Sequence, residues 1–329
     1  MRVLTRGDLQ QLVSMGEAIS LMKEAFREVS ADRAIVPLRT VVEVEPGTSS
    51  TLVMPAYLPG LGALGFKVIS IFTKNPQRGL PTGNATVCML DEETGVPAAL
   101  LNGAYLTALR TGAVSGAATD LLARADATTL TVIGAGVQGV TQAAAIAEVR
   151  DLTRIIVVYR SESSWTRFVE TVERDWPHLR DRIEGTTDVE AAVRAADIIA
   201  AATTSATPVF EAAWVKPGTH INGVGSFTPE TREIPEGIIL TGRVVVDHRE
   251  STFSEAGDLI IPINEGKFSE SDIIGELGEL VAGEIVGRQN DEDITFFKSV
   301  GNAVQDVVVA RRALDRATER GIGQEISLD

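Results

Sequence analysis

One cysteine in 329 residues, Cys88, leaves no partner for an internal disulfide. It sits in the apolar run from Thr86 to Leu90 and reads as a buried structural thiol. Histidine is almost as scarce: His178, His220 and His248 are far apart, without metal-ligand spacing, and no metal is expected. No Gly-x-Ser-x-Gly elbow is present, which removes that form of serine catalysis. Positive charge is in deficit, with 30 Lys and Arg against 45 Asp and Glu and a formal net charge of -15. Such a surface repels phosphate backbones and anionic lipid, so neither nucleic acid nor a membrane is expected as a partner. No apolar run approaches the ~20 residues that span a bilayer. The opening residues Met1 to Asp8 lack the apolar core of a signal peptide, and a cytoplasmic protein is expected.

What remains is a globular chain, 44% hydrophobic and 23% charged, long enough for two domains. Ser14 and Glu17 have capping-box spacing, and Ile19, Met22, Phe26 and Val29 then recur on one helical face. From about 39 to 101 short apolar runs predict strands: Thr51 to Met54, Leu64 to Phe72, Ala85 to Leu90 and Ala98 to Leu101. Asp91 to Gly95 reads as a hairpin loop, and short connections imply a mostly antiparallel sheet. An Ala-rich helix begins near 105.

From 129 strands and helices alternate, which predicts an α/β fold with a doubly wound parallel sheet. The strands are expected at 129–133, 154–158, 197–201, 220–224 and 244–247, with helices ending near 149 and spanning about 163–175. The last pattern, Gly301 to Arg320, is a helix with no strand after it, expected to return to the first domain.

Gly134-Ala135-Gly136-Val137-Gln138-Gly139 is a full G-x-G-x-x-G that follows an apolar strand and opens a helix. In that context it predicts a Rossmann dinucleotide site. Gly134 permits the tight turn, Gly136 lets backbone approach the pyrophosphate, and Gly139 lets helix pack on strand. The helix amides then face the phosphates. At the end of the second strand, where an NAD-preferring chain carries an acid, this chain has Tyr159, followed by Arg160 and Ser161. Arginine and serine suit a 2′-phosphate, so NADP(H) is expected over NAD(H), with NAD(H) use left open.

Lys67 shares a strand face with Ile69 and Ile71 by alternation. A lysine there either runs its stem to the edge of the sheet or points into a pocket, because an unpaired buried ammonium is costly. Arg39 precedes an alternating strand and Arg110 lies in Leu109-Arg110-Thr111-Gly112; taken alone, each also fits a surface or ion-paired arginine. Tyr57, Phe72, Phe227 and Phe253 are aromatic candidates for a substrate pocket, or ordinary core.

Several segments resemble the ornithine cyclodeaminase/mu-crystallin family: Gly79-Leu80-Pro81-Thr82, Thr94-Gly95-Val96-Pro97, Leu106 to Gly112, the glycine motif running into Val137-Gln138, and Phe297-Lys298-Ser299-Val300-Gly301. They occur in order over nearly the whole chain. The resemblance implies a substrate-binding and dimerisation domain of α+β type, residues 1–115 plus 302–329, and a Rossmann domain, residues 116–301. It places the carboxylate-binding arginine on Arg39, the active-site lysine on Lys67 and a second arginine, touching substrate and cofactor, on Arg110. Cofactor contacts fall on Thr82, Thr111, Val137, Gln138, Thr203, Val224, Gly225 and Ser299. A homodimer is implied as well.

Cyclodeaminases of the family carry an acid/base aspartate just after a Val-Gly pair. Here the run is Val224-Gly225-Ser226-Phe227, and the aspartate position falls on Phe227, which cannot move a proton. The resemblance therefore implies an NAD(P)H-dependent oxidoreductase that reduces a C=N bond next to a carboxylate, taking a small amino- or imino-acid substrate. Alanine-type dehydrogenase, ornithine cyclodeaminase and a non-catalytic NADPH-linked binding protein are the alternatives.

Overall fold

Thr5 and Asp8 satisfy each other's amides: the Asp8 amide donates to Thr5 Oγ1 and the Thr5 amide to Asp8 Oδ2. A short helix α1 (Arg6–Leu12), preceded by strand β1 (Arg2–Leu4), thus comes before the helix that the pattern predicts. That helix is α2 (Met15–Ser30). Ser14 caps it by accepting from the Glu17 amide, and Ile19, Met22, Phe26 and Val29 are buried along one face. Strands β2 (Thr40–Glu45), β3 (Ser49–Leu58), β4 (Ala63–Phe72), β5 (Gly83–Leu90) and β6 (Pro97–Asn102) follow. The Asp91–Gly95 segment turns β5 into β6, with Asp91 Oδ1 accepting from the Thr94 amide and hydroxyl. Helix α3 (Gly103–Leu122) contains the point, between Arg110 and Thr111, at which the computed structural model divides into two compact units. The structure describes residues 1–327.

The second unit, Thr111–Gly301, runs β7 (Thr129–Ile133), α4 (Val137–Val149), β8 (Arg154–Val158), α5 (Glu162–Asp175), β9 (Ile183–Thr186), α6 (Val189–Ala195), β10 (Ile198–Ala201) and β11 (His220–Gly223). It continues with α7 (Glu236–Thr241), β12 (Arg243–Val246), α8 (Arg249–Glu255), α9 (Gly257–Asn264), β13 (Gly275–Glu276), α10 (Leu277–Ala282) and β14 (Thr295–Lys298). The strands lie in the order β13-β12-β14-β11-β10-β7-β8-β9, and every pair is parallel. From β9 inward this is the three-two-one-four-five order of a doubly wound sheet, whose order reverses between β7 and β10. A crevice for a ligand opens at the carboxyl ends of strands at such a reversal. Ile133, Ile156, Ile199, Ile221, Val244 and Phe296 belong to the core of this unit.

From Asn302 the chain belongs to the first unit again, through α11 (Ala303–Arg320) and β15 (Gln324–Glu325). The first sheet has the order β15-β1-β6-β5-β4-β3-β2. Among the described residues β1 and β6 are its one parallel pair. Helix α11 packs on β3, β4 and β5 and against α1 and α2, which buries the face of β4 that carries Lys67.

Two sequence expectations need correction. The last helix is followed by a strand: Arg2 and Val3 pair with Glu325 and Gln324, so this two-residue element exists only through the other end of the chain. Strands β9, β13 and β14 were not anticipated either; β9 and β13 are too short for a pattern. Residues 328 and 329, part of the expected first domain, lie outside the described residues. Among the described residues no helix is long and apolar enough to cross a membrane.

Candidate functional site

In the second unit the glycine motif forms the link from β7 to α4. Gly134 has φ +114, a conformation that L side chains rarely adopt, and a Cβ there would lie 2.5 Å from the Ala202 carbonyl oxygen. A Cβ on Gly139 would meet the Gly134 carbonyl oxygen at 2.0 Å, which accounts for the close approach of helix and strand. Gly136 differs from both. Its φ is -97, and a Cβ there would meet nothing within 4 Å. Neither conformation nor packing within the protein requires glycine at this point, and the space beside it is open. Gly136 is also the N-cap of α4 without a side-chain cap, the first turn has no acidic residue, and Val137 beside it is 68% exposed. Free amides, a helix dipole and open space suit a pyrophosphate. The residues present fit a dinucleotide.

At the end of β8, Tyr159 stacks on Trp165 with ring centroids 5.6 Å apart, and its hydroxyl donates to Glu162 Oε1 at 2.9 Å. Arg160 is exposed, and Ser161 caps α5 by accepting from the Ser164 amide. An acid is thus present after all: Glu162, one residue into the helix. It lies beyond the strand end, where the sequence motif places none.

Thr203 and the Val224–Gly225 pair follow the carboxyl ends of β10 and β11, and Ser299 follows β14. The Val224 amide donates to the Ala201 carbonyl and the Ser299 amide to that of Gly223. Asp247, fully buried, accepts from the Ser299 hydroxyl at 2.6 Å and from the Val300 and Gly301 amides at 3.1 Å. The C-terminal loops of β10, β11 and β14 are therefore tied to the sheet. Gln138 is in the first turn of α4, and the Thr111 carbonyl accepts from the Gln142 side chain. Phe227 is 41% exposed, and Phe253 packs on the core of this unit.

In the first unit two of the sequence-predicted residues, Lys67 and Arg110, meet at an acid that the motifs do not include. Lys67 is 1% exposed, and its Nζ donates to Asp306 Oδ2 at 2.6 Å. Arg110 Nε donates to Asp306 Oδ1 at 3.3 Å, and its Nη1 donates to Gln305 Oε1. Asp306 and Gln305 lie in the first turn of α11, set by the box in which Asn302 caps the helix and the Gln305 side chain returns to the Asn302 amide. Lys67 therefore points into the protein rather than to the sheet edge. Among the described residues its ammonium makes one hydrogen bond, which leaves two of its three N–H groups for another acceptor. Gln305 Nε2 and Asn302 Nδ2 are buried without a partner among the described residues.

Burial is the largest influence on Lys67 and lowers its pKa to about 8. The charge and hydrogen bond of Asp306 oppose that shift, while Arg110 and Arg39 reinforce it. Arg39 is half-buried just before β2, and Thr82 is exposed in the loop before β5. The Tyr57 hydroxyl donates to Glu92 and Phe72 ends β4; neither shares a hydrogen bond with Lys67, Arg110 or Asp306 among the described residues. The sequence does hold a signal for Asp306: in Ala303-Val304-Gln305-Asp306-Val307-Val308 two polar residues interrupt a buried apolar helix, and such groups need partners.

The family model for the ornithine cyclodeaminase/mu-crystallin family matches residues 1–321. A Delta(1)-pyrroline-2-carboxylate reductase of Bacillus cereus is 41% identical over 327 residues, with 99% of each chain covered. The solved structure of the Thermococcus litoralis Delta(1)-pyrroline-2-carboxylate reductase, in complex with NADH and L-proline, is 40% identical, with a TM-score of 0.94 over 99% of this chain and 100% of that one. An archaeal alanine dehydrogenase dimer with bound NAD is 32% identical, with a TM-score of 0.91 over 100% of this chain and 99% of that one.

Proposed function

The chain belongs to the ornithine cyclodeaminase/mu-crystallin family, and from that premise we propose that it reduces the C=N bond of Delta(1)-pyrroline-2-carboxylate to give proline. It is an oxidoreductase of the imine-reducing branch, dependent on a nicotinamide dinucleotide. The observation that carries the reading is Lys67: a buried ammonium with a lowered pKa, one hydrogen bond among the described residues, and arginines at hand for a carboxylate.

Reduction adds a hydride to the imine carbon and a proton to its nitrogen. The bound reduced nicotinamide supplies the hydride. Lys67 gives the proton from Nζ, and a pKa near 8 lets it recover that proton from water close to neutrality. Arg39, with Arg110, holds the substrate carboxylate by charge-assisted bonds, which fixes the imine carbon in one orientation. Asp306 holds both Lys67 and Arg110, so the acid and one carboxylate-binding group share one support. Phe227, exposed where cyclodeaminases of the family carry their aspartate, offers no second proton carrier.

The cofactor loop consists of Gly134, Gly136, Val137, Gln138 and Gly139, with Thr82, Thr111, Thr203, Val224, Gly225 and Ser299 as further contacts. The preferred form is NADP(H), with the exposed Arg160 and Ser161 meeting the 2′-phosphate; NADH and NAD in the solved relatives support use of NAD(H) as well. Glu162 competes with a 2′-phosphate, and its bond from Tyr159 moderates that effect. The protein acts as a cytoplasmic homodimer. The archaeal dimer supports this, as does edge strand β2, which exposes Val41, Val42 and Val44 by 52 to 59%.

The test is oxidation of NADPH and of NADH, followed by absorbance, with pyrroline-2-carboxylate, piperideine-2-carboxylate, and pyruvate with ammonia or methylamine. L-Ornithine with NAD is the contrasting sample. Fastest turnover is expected on the five-membered ring, and activity on ornithine alone would overturn the proposal. Arg160→Ala should reduce the preference for NADPH over NADH by about tenfold, the worth of one charge-assisted bond. An unchanged ratio would remove Arg160 from cofactor selection.

A further inference from the structure

Glu233 lies in the second unit, after β11, in a segment that none of the sequence motifs includes. It is fully buried. Its carboxylate spans two loops. Oε2 accepts from the amide and the hydroxyl of Thr203, both at 3.0 Å, and Oε1 accepts from the Gly225 amide. Thr203 follows β10 and Gly225 follows β11, two adjacent strands on the far side of the reversal from β8 and β9. The loops are packed too closely for any side chain between them: a Cβ on Gly225 would lie 2.2 Å from the Thr203 carbonyl oxygen and 2.5 Å from Glu233 Oε2.

The carboxylate is itself held in place. The Glu233 and Ile234 amides donate to Asp258 Oδ1 at 2.8 and 3.0 Å. Lys298 Nζ donates to Asp258 Oδ2 at 2.7 Å and to the Ser226 carbonyl at 2.6 Å. Loop 224–226 is thus gripped twice, at the Gly225 amide by Glu233 and at the Ser226 carbonyl by Lys298. Asp258 and Lys298 are as deeply buried as Glu233.

In a doubly wound sheet the first three strands serve the adenosine half of a dinucleotide, and the next strands serve the other half. Here β7, β8 and β9 form the first set, and β10 and β11 open the second. The geometry points to Glu233 as a positioning residue for the nicotinamide half of the cofactor: its carboxylate fixes the spacing of the two loops at the carboxyl ends of β10 and β11. The inference rests on the reading of this unit as a dinucleotide site. Glutamine cannot take over the task. One of its two terminal atoms is an N–H donor and would face the Thr203 or the Gly225 amide, donor against donor.

The test compares equilibrium binding of NADH and of ADP-ribose, which lacks the nicotinamide ring, by titration calorimetry on wild type and Glu233→Gln. The expected result is a dissociation constant for NADH raised about tenfold or more, with that for ADP-ribose unchanged within about a factor of two. Equal losses for both ligands, or none, would reduce Glu233 to a purely structural role and overturn the inference. A wild-type protein that binds neither ligand would instead overturn the dinucleotide reading. Should the glutamine variant fail to fold, Glu233→Asp keeps the charge but shortens the reach. It should show the same one-sided loss in smaller measure, and a loss equal for both ligands would again overturn the inference.

Discussion

Among the described residues each unit buries one lysine–aspartate pair, and the two pairs are nearly equal in geometry. Lys67 and Asp306 are 2.6 Å apart with side chains 1% and 0% exposed; Lys298 and Asp258 are 2.7 Å apart and both 0% exposed. Their surroundings differ. Lys298 gives a second hydrogen bond to the Ser226 carbonyl and acts on a nearby carboxylate, Glu233. Lys67 has no second acceptor among the described residues and faces the charges of Arg110 and Arg39. A lysine whose donors meet acceptors and whose neighbours are acids is a strut. A lysine with spare donors and cationic neighbours is poised to give up a proton. The ion pair alone does not distinguish them.

The comparison breaks most openly when each lysine is replaced by methionine. Lys67→Met should lower kcat by about 10²–10⁴-fold, the usual worth of a positioned acid. Asp306 keeps Arg110 as a partner, so stability should change little and NADPH should still bind. Lys298→Met leaves Asp258 a buried charge with only the two amides, and should cost about 3–5 kcal/mol of stability. Steady-state rates together with urea unfolding measure both effects. Undiminished turnover in Lys67→Met would remove Lys67 from the mechanism, and an unchanged unfolding midpoint in Lys298→Met would remove the strut.

Arg39→Ala sharpens the same contrast from the substrate side. Loss of charged hydrogen bonding to the carboxylate, roughly 1.5–3 kcal/mol, should raise KM for the imine by about 10- to 150-fold. The Michaelis constant for NADPH should stay as it was. A variant in which both constants rise together would place Arg39 in the fold rather than at the carboxylate.

Sequence reasoning reached the residues whose signals are local. The glycine loop announces itself within six positions, between strand and helix. Lys67 stands out by alternation, and the ordered short segments led to the family and to its imine-reducing branch through Phe227. What it missed depends on distant partners. Asp306 meets Lys67 across 239 positions, and its helix reads as ordinary Ala- and Val-rich core. Glu233 grips loops that lie 30 and 8 positions away, and no pattern links those separations. β15 is strand only because β1 lies beside it. A polar residue inside a buried run is the one trace that such contacts leave in a sequence.

Proton supply by Lys67 also predicts a pH dependence whose sign can be worked out. The ammonium is the active form for reduction, so kcat/KM should be level below about pH 8 and fall as pH rises through it. In the reverse direction, with proline and the oxidised cofactor, the neutral amine is needed, and the rate should rise through the same region. Asp306 raises the pKa of Lys67 through its charge and its hydrogen bond, against the larger effect of burial. Asp306→Asn removes the charge, so the descending limb of the reductive profile should move to lower pH. Lys298 predicts nothing of the kind: Asp258→Asn, in the other unit, should leave the limb where it is while lowering the unfolding midpoint. A limb that stays put in Asp306→Asn would mean that the titrating group is not Lys67, and the two buried pairs would then differ in place but not in kind.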